Sequence, residues 1–154
     1  MILTPDSVRR SNQIKLPFGG GKTSPVAVGD VARVIATLLV NPQPHIGQIY
    51  HLTGPQSENM DFYAKEYSKA LGRTITYQDI PIEPWRRALL DRGLPVHLVN
   101  HLVTIADLHR AGRYDRMSDD VRTLTGQEPL TVQEVVRKNA SLFTPSAKEV
   151  AGNM

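Results

Sequence analysis

The sequence predicts an α/β fold in which a short sheet with flanking helices is followed by a helical C-terminal half. Four segments have strand character: Gln13–Phe18, Ser24–Val28, Gln48–Leu52 and Thr74–Ile80. Segments with helical periodicity lie between them, and this alternation favours α/β layering. After the last strand candidate only helical periodicity remains, so we expect the C-terminal half to be built from helices.

The first strand is predicted by alternation. Residues 1–12 are polar, and we expect a frayed lead-in or a short helix there. Within Gln13–Phe18 one face is apolar, and Pro17 places this strand at an edge or at its own end. Gly19-Gly20-Gly21-Lys22 then forms a turn. The apolar face consists of Ile14, Leu16 and Phe18.

Two helices follow in the first half. Asp30–Val40 begins with a good N-cap, Asp30, and ends at Asn41-Pro42. Its predicted inward stripe is Val31, Val34, Ile35, Leu38 and Leu39. The next helix is capped by Ser57 or Asn59 and ends at Gly72. Its apolar side is Met60, Tyr63, Ala64, Tyr67, Ala70 and Leu71.

Four helices are expected in the second half. The first has Pro84 in its first turn and runs to Gly93. Pro95 opens a longer one that reaches about Ala111, and Ser118 caps a short one. Thr131 caps the last, with Glu134 completing a capping box. The inward residues of the long and last helices are Val96, Val99, Leu102, Val103 and Ala106, then Val132, Val135, Val136, Ala140 and Phe143. We therefore expect one domain over residues 13–144 and a loose tail over 145–154.

Composition narrows the class of protein. The 154 residues are 40% hydrophobic and 21% charged, which is typical of a soluble globular chain. The net charge of +3 is scattered and aromatics are only 6%, so we interpret the arginine clusters as a solvated face and expect no nucleic-acid binding. There is no cysteine, which excludes disulfides and thiolate-bound zinc. No apolar run suits a membrane span or a signal peptide, and we expect a cytoplasmic protein.

The motifs that would carry catalysis are absent. Gly21-Lys22-Thr23 resembles the end of a phosphate loop, but the earlier glycine would fall at Leu16 and the segment after it is strand-like. There is no G-x-G-x-x-G fingerprint, no G-x-S-x-G elbow and no H-E-x-x-H site. No tyrosine has a lysine four residues later. We therefore assign no catalytic residue, and the cofactor-binding residues stay unknown.

Three residues are candidates for a substrate pocket: Phe18, Trp85 and His101. For Trp85 the alternative is an anchor that packs its helix on the sheet, and Phe18 faces the same choice. His97 and His101 are spaced to bind one metal ion, but His109 lies roughly 12 Å further along the helix. We therefore predict no metal site and expect half-buried histidines that line a cleft.

The ordered pattern resembles a known family. Leu16–Lys22 followed by Pro25–Arg33 is similar to the second half of the NmrA-like proteins, which are atypical short-chain dehydrogenases/reductases. The resemblance covers roughly residues 13–144. It continues in order through His51–Pro55, Tyr67–Arg73, Tyr77–Pro81, Leu124–Gly126 and Asn139–Phe143.

The resemblance implies a partial Rossmann-like fold and an NAD(P)-binding family. Some members are NAD(P)H-dependent reductases of quinones, azo dyes or similar acceptors, and others are regulators. The family's N-terminal half carries the glycine-rich cofactor loop and most of the parallel sheet, and this chain has neither. We therefore expect a truncated product or a fragment to which NADP or NAD does not bind tightly. No family catalytic residue can be carried over, and Asp30 matches a helix start with a structural capping role.

Two functions follow as expectations. The first is the substrate-binding portion of an NmrA-like oxidoreductase that acts on a small molecule. The alternative is a non-catalytic regulatory or interaction module. Removing half of a sheet leaves an apolar face and an open strand edge, and such surfaces associate. We therefore expect a homodimer or association with a homologous N-terminal half.

Overall fold

The computed structural model describes residues 5–144. Within that range the chain forms seven α-helices, two β-strands and two short 3-10 turns. The helices are α1 Pro5–Ser11, α2 Val28–Val40, α3 Met60–Leu71, α4 Ile82–Asp91, α5 Val96–Arg110, α6 Asp120–Thr125 and α7 Val132–Lys138. The strands are β1 Gln13–Leu16 and β2 Thr76–Asp79, and the 3-10 turns are Gln43–His45 and Ala140–Phe143. None of the helices in the described part of the chain is long and apolar enough to cross a membrane.

The two strands are parallel neighbours. Gln13 pairs with Thr76, and the register continues to Leu16 opposite Asp79. Ile14 and Leu16 are buried, as the alternation predicts, while Gln13 and Lys15 are half-buried. The strand ends before Pro17, which has no amide hydrogen to continue a ladder. The predicted first and last strands are thus confirmed.

Helix α3 is the centre of the hydrophobic core. It contacts β2 on one side and α7 on the other. Its predicted start and stop are confirmed, because Asn59 Oδ1 accepts from the Phe62 amide at 3.0 Å and Gly72 has φ +66°. The core cluster is Val8, Ile14, Leu16, Phe18, Met60, Tyr63, Ala64, Tyr67, Ile75, Ala106, Val136 and Phe143.

The strands predicted at residues 24–28 and 48–52 do not form. Within residues 5–144 the sheet contains only β1 and β2, and Thr23 makes a single antiparallel bridge with Glu58. Residues 48–52 have no regular secondary structure, and the backbone of His51 bonds to side chains at the start of α6: its amide donates to Asp120 Oδ2, and its carbonyl accepts from Ser118 Oγ. The strand pattern is present in the sequence, but no strand of residues 5–144 pairs with either segment.

Asp30 is not the N-cap that the sequence predicts. Helix α2 begins at Val28 after Ala27, and no side chain caps it. Asp30 lies in the first turn and is fully buried. Its Oδ2 accepts from the Leu130 amide at 2.8 Å, and its Oδ1 accepts from Arg33 Nη2 at 2.6 Å. The carboxylate therefore joins α2 to the segment before α7, a structural role of a different kind.

The predicted inward stripe of α2 is only partly buried. Val34 is buried, whereas Ile35 and Leu39 are exposed. Val96 is likewise exposed on α5, although Val99 and Ala106 are buried as predicted. The helical period is right in both helices, but these three positions have no element of the described chain to cover them.

The remaining predicted helices are found with small changes in their ends. The capping box of Thr131 and Glu134 is present. Ser118 Oγ accepts from the Asp120 amide at 3.0 Å, so it supports the start of α6 as predicted, although Asp119 is the residue next to the helix. After α7 the chain turns into the 3-10 segment that contains buried Phe143. The lead-in includes helix α1, with Val8 buried, and the expected tail lies outside the described residues.

Candidate functional site

The loop after β1 lies at the carboxyl end of a parallel strand pair, where α/β folds place ligand sites. It contains the glycine turn (Gly19–Gly21). Gly19 has φ +58°, which a residue with a side chain rarely adopts. A Cβ on Gly21 would lie 1.9 Å from the carbonyl oxygen of His109. The turn therefore rests directly on the end of α5, and only glycine permits that approach.

A network of hydrogen bonds holds the glycine turn in place. The Phe18 amide donates to Tyr77 Oη at 3.2 Å, and Tyr77 Oη donates to the Leu16 carbonyl at 2.9 Å. The Gly19 amide donates to Asp79 Oδ1 at 3.0 Å. Arg110 Nη2 donates to both carboxylate oxygens of Asp79, at 2.6 and 2.8 Å, and its Nε donates to the Pro17 carbonyl at 2.9 Å. The loop is therefore held by the end of β2 and the end of α5.

The same contacts determine the protonation states of Asp79 and Tyr77. Burial acts to raise the pKa of Asp79, but the Gly19 amide and the Arg110 guanidinium outweigh burial and hold the pKa below its ordinary value. Burial, reinforced by the Asp79 charge, raises the pKa of Tyr77 to about 12. At neutral pH the carboxylate is ionised and the phenol is protonated, so the arrangement suits holding the loop rather than transferring protons.

An aromatic stack completes the region. The rings of Phe18 and His109 are parallel with centroids 3.9 Å apart, and Tyr114 lies 4.5 Å from His109 on a tilted plane. Nδ1 of His109 is buried and has no hydrogen-bond partner among the described residues. Burial lowers the pKa of His109 to about 4, so the ring is a neutral, apolar-packed group at neutral pH.

The predicted site residues occupy three different environments. Phe18 is buried in the stack, Trp85 is half-buried against the core, and His101 is exposed on α5. His97 is also exposed, so the expectation of half-buried histidines is wrong for these two, whose side of α5 is uncovered. Only His109 is buried. Among residues 5–144 no group of three His, Asp or Glu side chains is placed to hold a metal ion.

The residues that the sequence interpretation missed are Tyr77, Asp79 and Arg110. Tyr77 and Asp79 sit two apart on one face of a predicted strand, which is a weak signal. Arg110 reaches Asp79 across 31 residues and Pro17 across 93 residues. Nothing local in the sequence indicates contacts at such separations.

An apolar cavity of about 390 Å³ lies elsewhere, between residues 25–29 and α7. Val26, Val28, Leu130 and Val135 line it, and Lys138 contributes the charged group. Phe18, Trp85 and His101 do not line it. The structure therefore separates this cavity from the glycine turn.

The glycine turn is not built to hold a pyrophosphate. The Gly21 amide donates back to the Phe18 carbonyl, and the Gly19 amide is already bonded to Asp79. Residues 22–27 that follow are not helical, and Lys22 Nζ lies 3.6 Å from Glu58 Oε2. A phosphate loop needs free amides and a helix that begins at the loop. At this turn the amides of Gly19 and Gly21 are both occupied, and no helix begins there.

Comparison with known proteins places this geometry in context. No protein-family model matches the chain. It is 27% identical to NAD(P)H azoreductase from Xenophilus azovorans over 143 residues, which cover 93% of this chain and 50% of the relative. It is 29% identical to quinone oxidoreductase 2 from Escherichia coli over 121 residues, covering 77% of this chain and 41% of the relative.

Solved structures agree on the fold. The Citrobacter sp. triphenylmethane reductase, solved in complex with NADP(H), is 24% identical with a TM-score of 0.74, and the match covers 88% of this chain and 48% of that one. The chain thus spans about half the length of the curated relatives it matches. The resemblance noted in the sequence is confirmed as a similarity: at about 25% identity the chain matches roughly half of each of these reductases, and its α/β fold is like that of NmrA-like, Rossmann-type reductases.

Proposed function

We propose that this chain is the substrate-side half of an NAD(P)H-dependent oxidoreductase that reduces a small organic acceptor of the quinone or azo class. The observation that carries the proposal is the similarity of 93% of the chain to half of an NAD(P)H azoreductase. A quinone oxidoreductase is similar over 77% of the chain, which favours the same acceptor class. A cytoplasmic location, where NAD(P)H is available, is part of the proposal.

The residues of the glycine turn do not fit the cofactor by themselves. The amides of Gly19 and Gly21 are used within the loop, and the buried ring of His109 presents no charge. Hydride transfer is chemistry that the nicotinamide supplies when it is bound. We therefore assign dinucleotide binding to a second half of the enzyme, and we derive no step of the reaction from the residues described here.

This half contributes a rigid wall. The glycine turn is held by Asp79, Arg110 and Tyr77, and Gly21 packs against the end of α5. A wall held by part-buried and charge-assisted hydrogen bonds loses little freedom when a substrate binds, which lowers the cost of orienting it. An uncharged, aromatic acceptor suits a surface built from glycine backbone over an aromatic stack.

The test is a chimera in which this full chain replaces the matching half of the Xenophilus azovorans azoreductase. We expect the chimera to oxidise NADPH only when a quinone or an azo dye is present. The isolated chain serves as the control and should not bind NADPH at micromolar concentrations. A folded chimera that binds NADPH but reduces neither acceptor class would contradict the proposal, and so would micromolar NADPH binding by the isolated chain.

A second candidate is a non-catalytic regulatory or interaction module that pairs with itself. Exposed apolar side chains on α2, including Ile35 and Leu39, favour this reading because such patches mark association sites. It predicts a concentration-dependent dimer in light scattering together with a chimera that is inactive. A monomeric chain at high concentration would exclude the dimer.

A further inference from the structure

Helix α2 is apolar on more sides than the described chain covers. Of its thirteen residues only Asp30, Arg33 and Thr37 carry polar side chains. A helix that is apolar nearly all round is normally buried nearly all round. Here one side is covered, with Val34 buried and α6 packed against the helix. The other side is open.

The open side of α2 carries a regular row of apolar residues, the α2 stripe (Val28, Ala32, Ile35 and Leu39). These positions follow one another at i, i+4, i+7 and i+11, which is the spacing of a single helical face. Ile35 is 50% exposed and Leu39 is 74% exposed. An exposed row at packing periodicity is the pattern of a surface that another element covers.

Residues 48–52 show the same mismatch at the level of the backbone. They have the sequence of a strand but form no regular secondary structure, and Ile49 is 82% exposed. The amides of Ile49, Tyr50 and Leu52 have no hydrogen-bond partner within residues 5–144. Unpaired backbone amides in a segment with the sequence of a strand can pair with another strand.

Helix α6 connects the two features. It packs against α2, and its Asp120 and the preceding Ser118 bind the backbone of His51. Helix α6 and the residues just before it therefore cover one side of α2 and contact the backbone of residues 48–52. The α2 stripe and the unpaired amides are what this arrangement leaves uncovered.

We propose that the α2 stripe and residues 48–52 form the docking surface for the dinucleotide-binding half of an NmrA-like reductase. This rests on the proposed function. The parallel sheet of that half would cover the stripe, and its edge strand would pair with residues 48–52. The occupant is chosen because the chain matches only about half of each relative, and because a sheet covered by helices is how parallel strands are buried. One sheet would explain both the exposed α2 stripe and the unpaired amides of residues 48–52.

The experiment titrates the full chain with the separately expressed N-terminal half of the Xenophilus azovorans azoreductase, without NAD(P)H, and follows association by calorimetry. We expect a micromolar or tighter complex. Ile35→Lys and Leu39→Lys should each weaken it by about tenfold or more, because a charge is buried against apolar surface. The full-length azoreductase should not bind this chain, because its own C-terminal half already covers the binding surface of its N-terminal half.

The matched control is Val96→Lys. Val96 is an apolar helix residue with 59% exposure on α5, outside the proposed surface, and its replacement should leave the affinity unchanged. Circular dichroism of each variant checks that the chain still folds. If the azoreductase half does not fold alone, copurification of the two co-expressed halves replaces the titration, with the same variants.

Three outcomes would overturn the docking surface: no association by titration or copurification, equal weakening by Val96→Lys, or a homodimer that the stripe variants dissolve while the azoreductase half does not bind. The fused chimera separates this proposal from the proposed function. Turnover by the chimera without association of the separate halves removes the docking surface alone. Association without turnover removes the function and keeps the surface.

Discussion

Two sides of this molecule carry apolar residues at regular helix or strand spacing, but in opposite environments. On one side, β1, α3 and α7 leave none of the residues that the pattern marks as inward exposed: each is buried or half-buried, and Leu16 is 1% exposed. On the other, α2 carries residues of the same kind in the open, and Leu39 is 74% exposed. Hydrophobic periodicity therefore indicates which residues are to be covered. The structure shows which of them are covered by residues 5–144.

The difference between the two sides is tested most directly by making the same substitution on each of them. Leu16→Ala removes a buried side chain from the core and should lower the free energy of unfolding by about 2 to 5 kcal/mol. Leu39→Ala makes the same chemical change on the uncovered side and should stay within about 0.5 kcal/mol. Urea unfolding of the isolated chain followed by circular dichroism measures both.

Equal losses for the two variants would mean that the α2 stripe is already covered in solution, for instance by a second copy. In that case the loss at Leu39 should depend on protein concentration, because a dimer contributes to stability by mass action. An effect that is independent of concentration and as large as that of Leu16→Ala would contradict the exposure of Leu39.

The second test concerns the charge that joins the two sides. Asp30 is buried and accepts hydrogen bonds from Leu130 and Arg33. Asp30→Asn retains one acceptor but presents a donor amide towards the guanidinium. We expect a loss of about 1.5 to 3 kcal/mol in the free energy of unfolding, the range for charged hydrogen bonds.

Asp119→Asn is the matched control for this test. Asp119 pairs with Arg122 at the same i, i+3 spacing as Asp30 and Arg33, but at 3.7 Å and with both side chains largely exposed. Exposed pairs contribute little, so this variant should change the free energy of unfolding by less than about 0.5 kcal/mol. If both aspartate variants behave alike, Asp30 does not join α2 to the chain before α7.

Features whose signals lie within one helical turn were predictable from the sequence. Asn59 and Gly72 bound α3 as predicted, and Thr131 and Glu134 form the expected capping box. In each case the donor and acceptor are at most four residues apart, so local geometry decides the contact. The alternation in β1 was sufficient for the same reason.

Features that depend on distant partners were not predictable. Asp30 has the sequence signature of a cap, but its partner Leu130 is 100 residues away. Residues 24–28 and 48–52 have strand character, and no strand in the described chain pairs with them. A periodic pattern reports that a segment suits a sheet, and it contains no information on whether the neighbouring strand belongs to the same chain.

The site shows the same limit. Phe18 is a predicted pocket residue, but the sequence predicts the same half-buried environment for its stacking partner His109 as for His97 and His101. Eight residues of helix rotate by roughly 80° beyond two full turns, which takes a ring from the open side to the buried side. Arg110 and Asp79 were missed because an ion pair 31 residues apart leaves no local pattern.

The smallest effect that we predict separates two histidines of one helix. The pKa of buried His109 is about 4 in the folded chain, below its ordinary value of 6.5. Between these values the unfolded chain binds more protons than the folded chain, so stability falls as the pH falls through this window. From pH 7 to pH 5 the loss due to this ring should be on the order of 1 kcal/mol.

His109→Phe removes the titration and keeps a planar ring that can stack on Phe18, whereas His101→Phe changes an exposed ring on the same helix. Urea unfolding at pH 7 and pH 5 gives the loss of stability for the parent and for both variants. The loss should be smaller in His109→Phe and unchanged in His101→Phe. Protonation of carboxylates such as Asp79 also lowers the stability of the folded chain at low pH. This contribution is common to all three proteins and cancels in the differences. A parent and a His109→Phe variant with the same loss would show that the ring takes up its proton near pH 6.5, and the covered side would then be as open to water at His109 as the uncovered side is at His101.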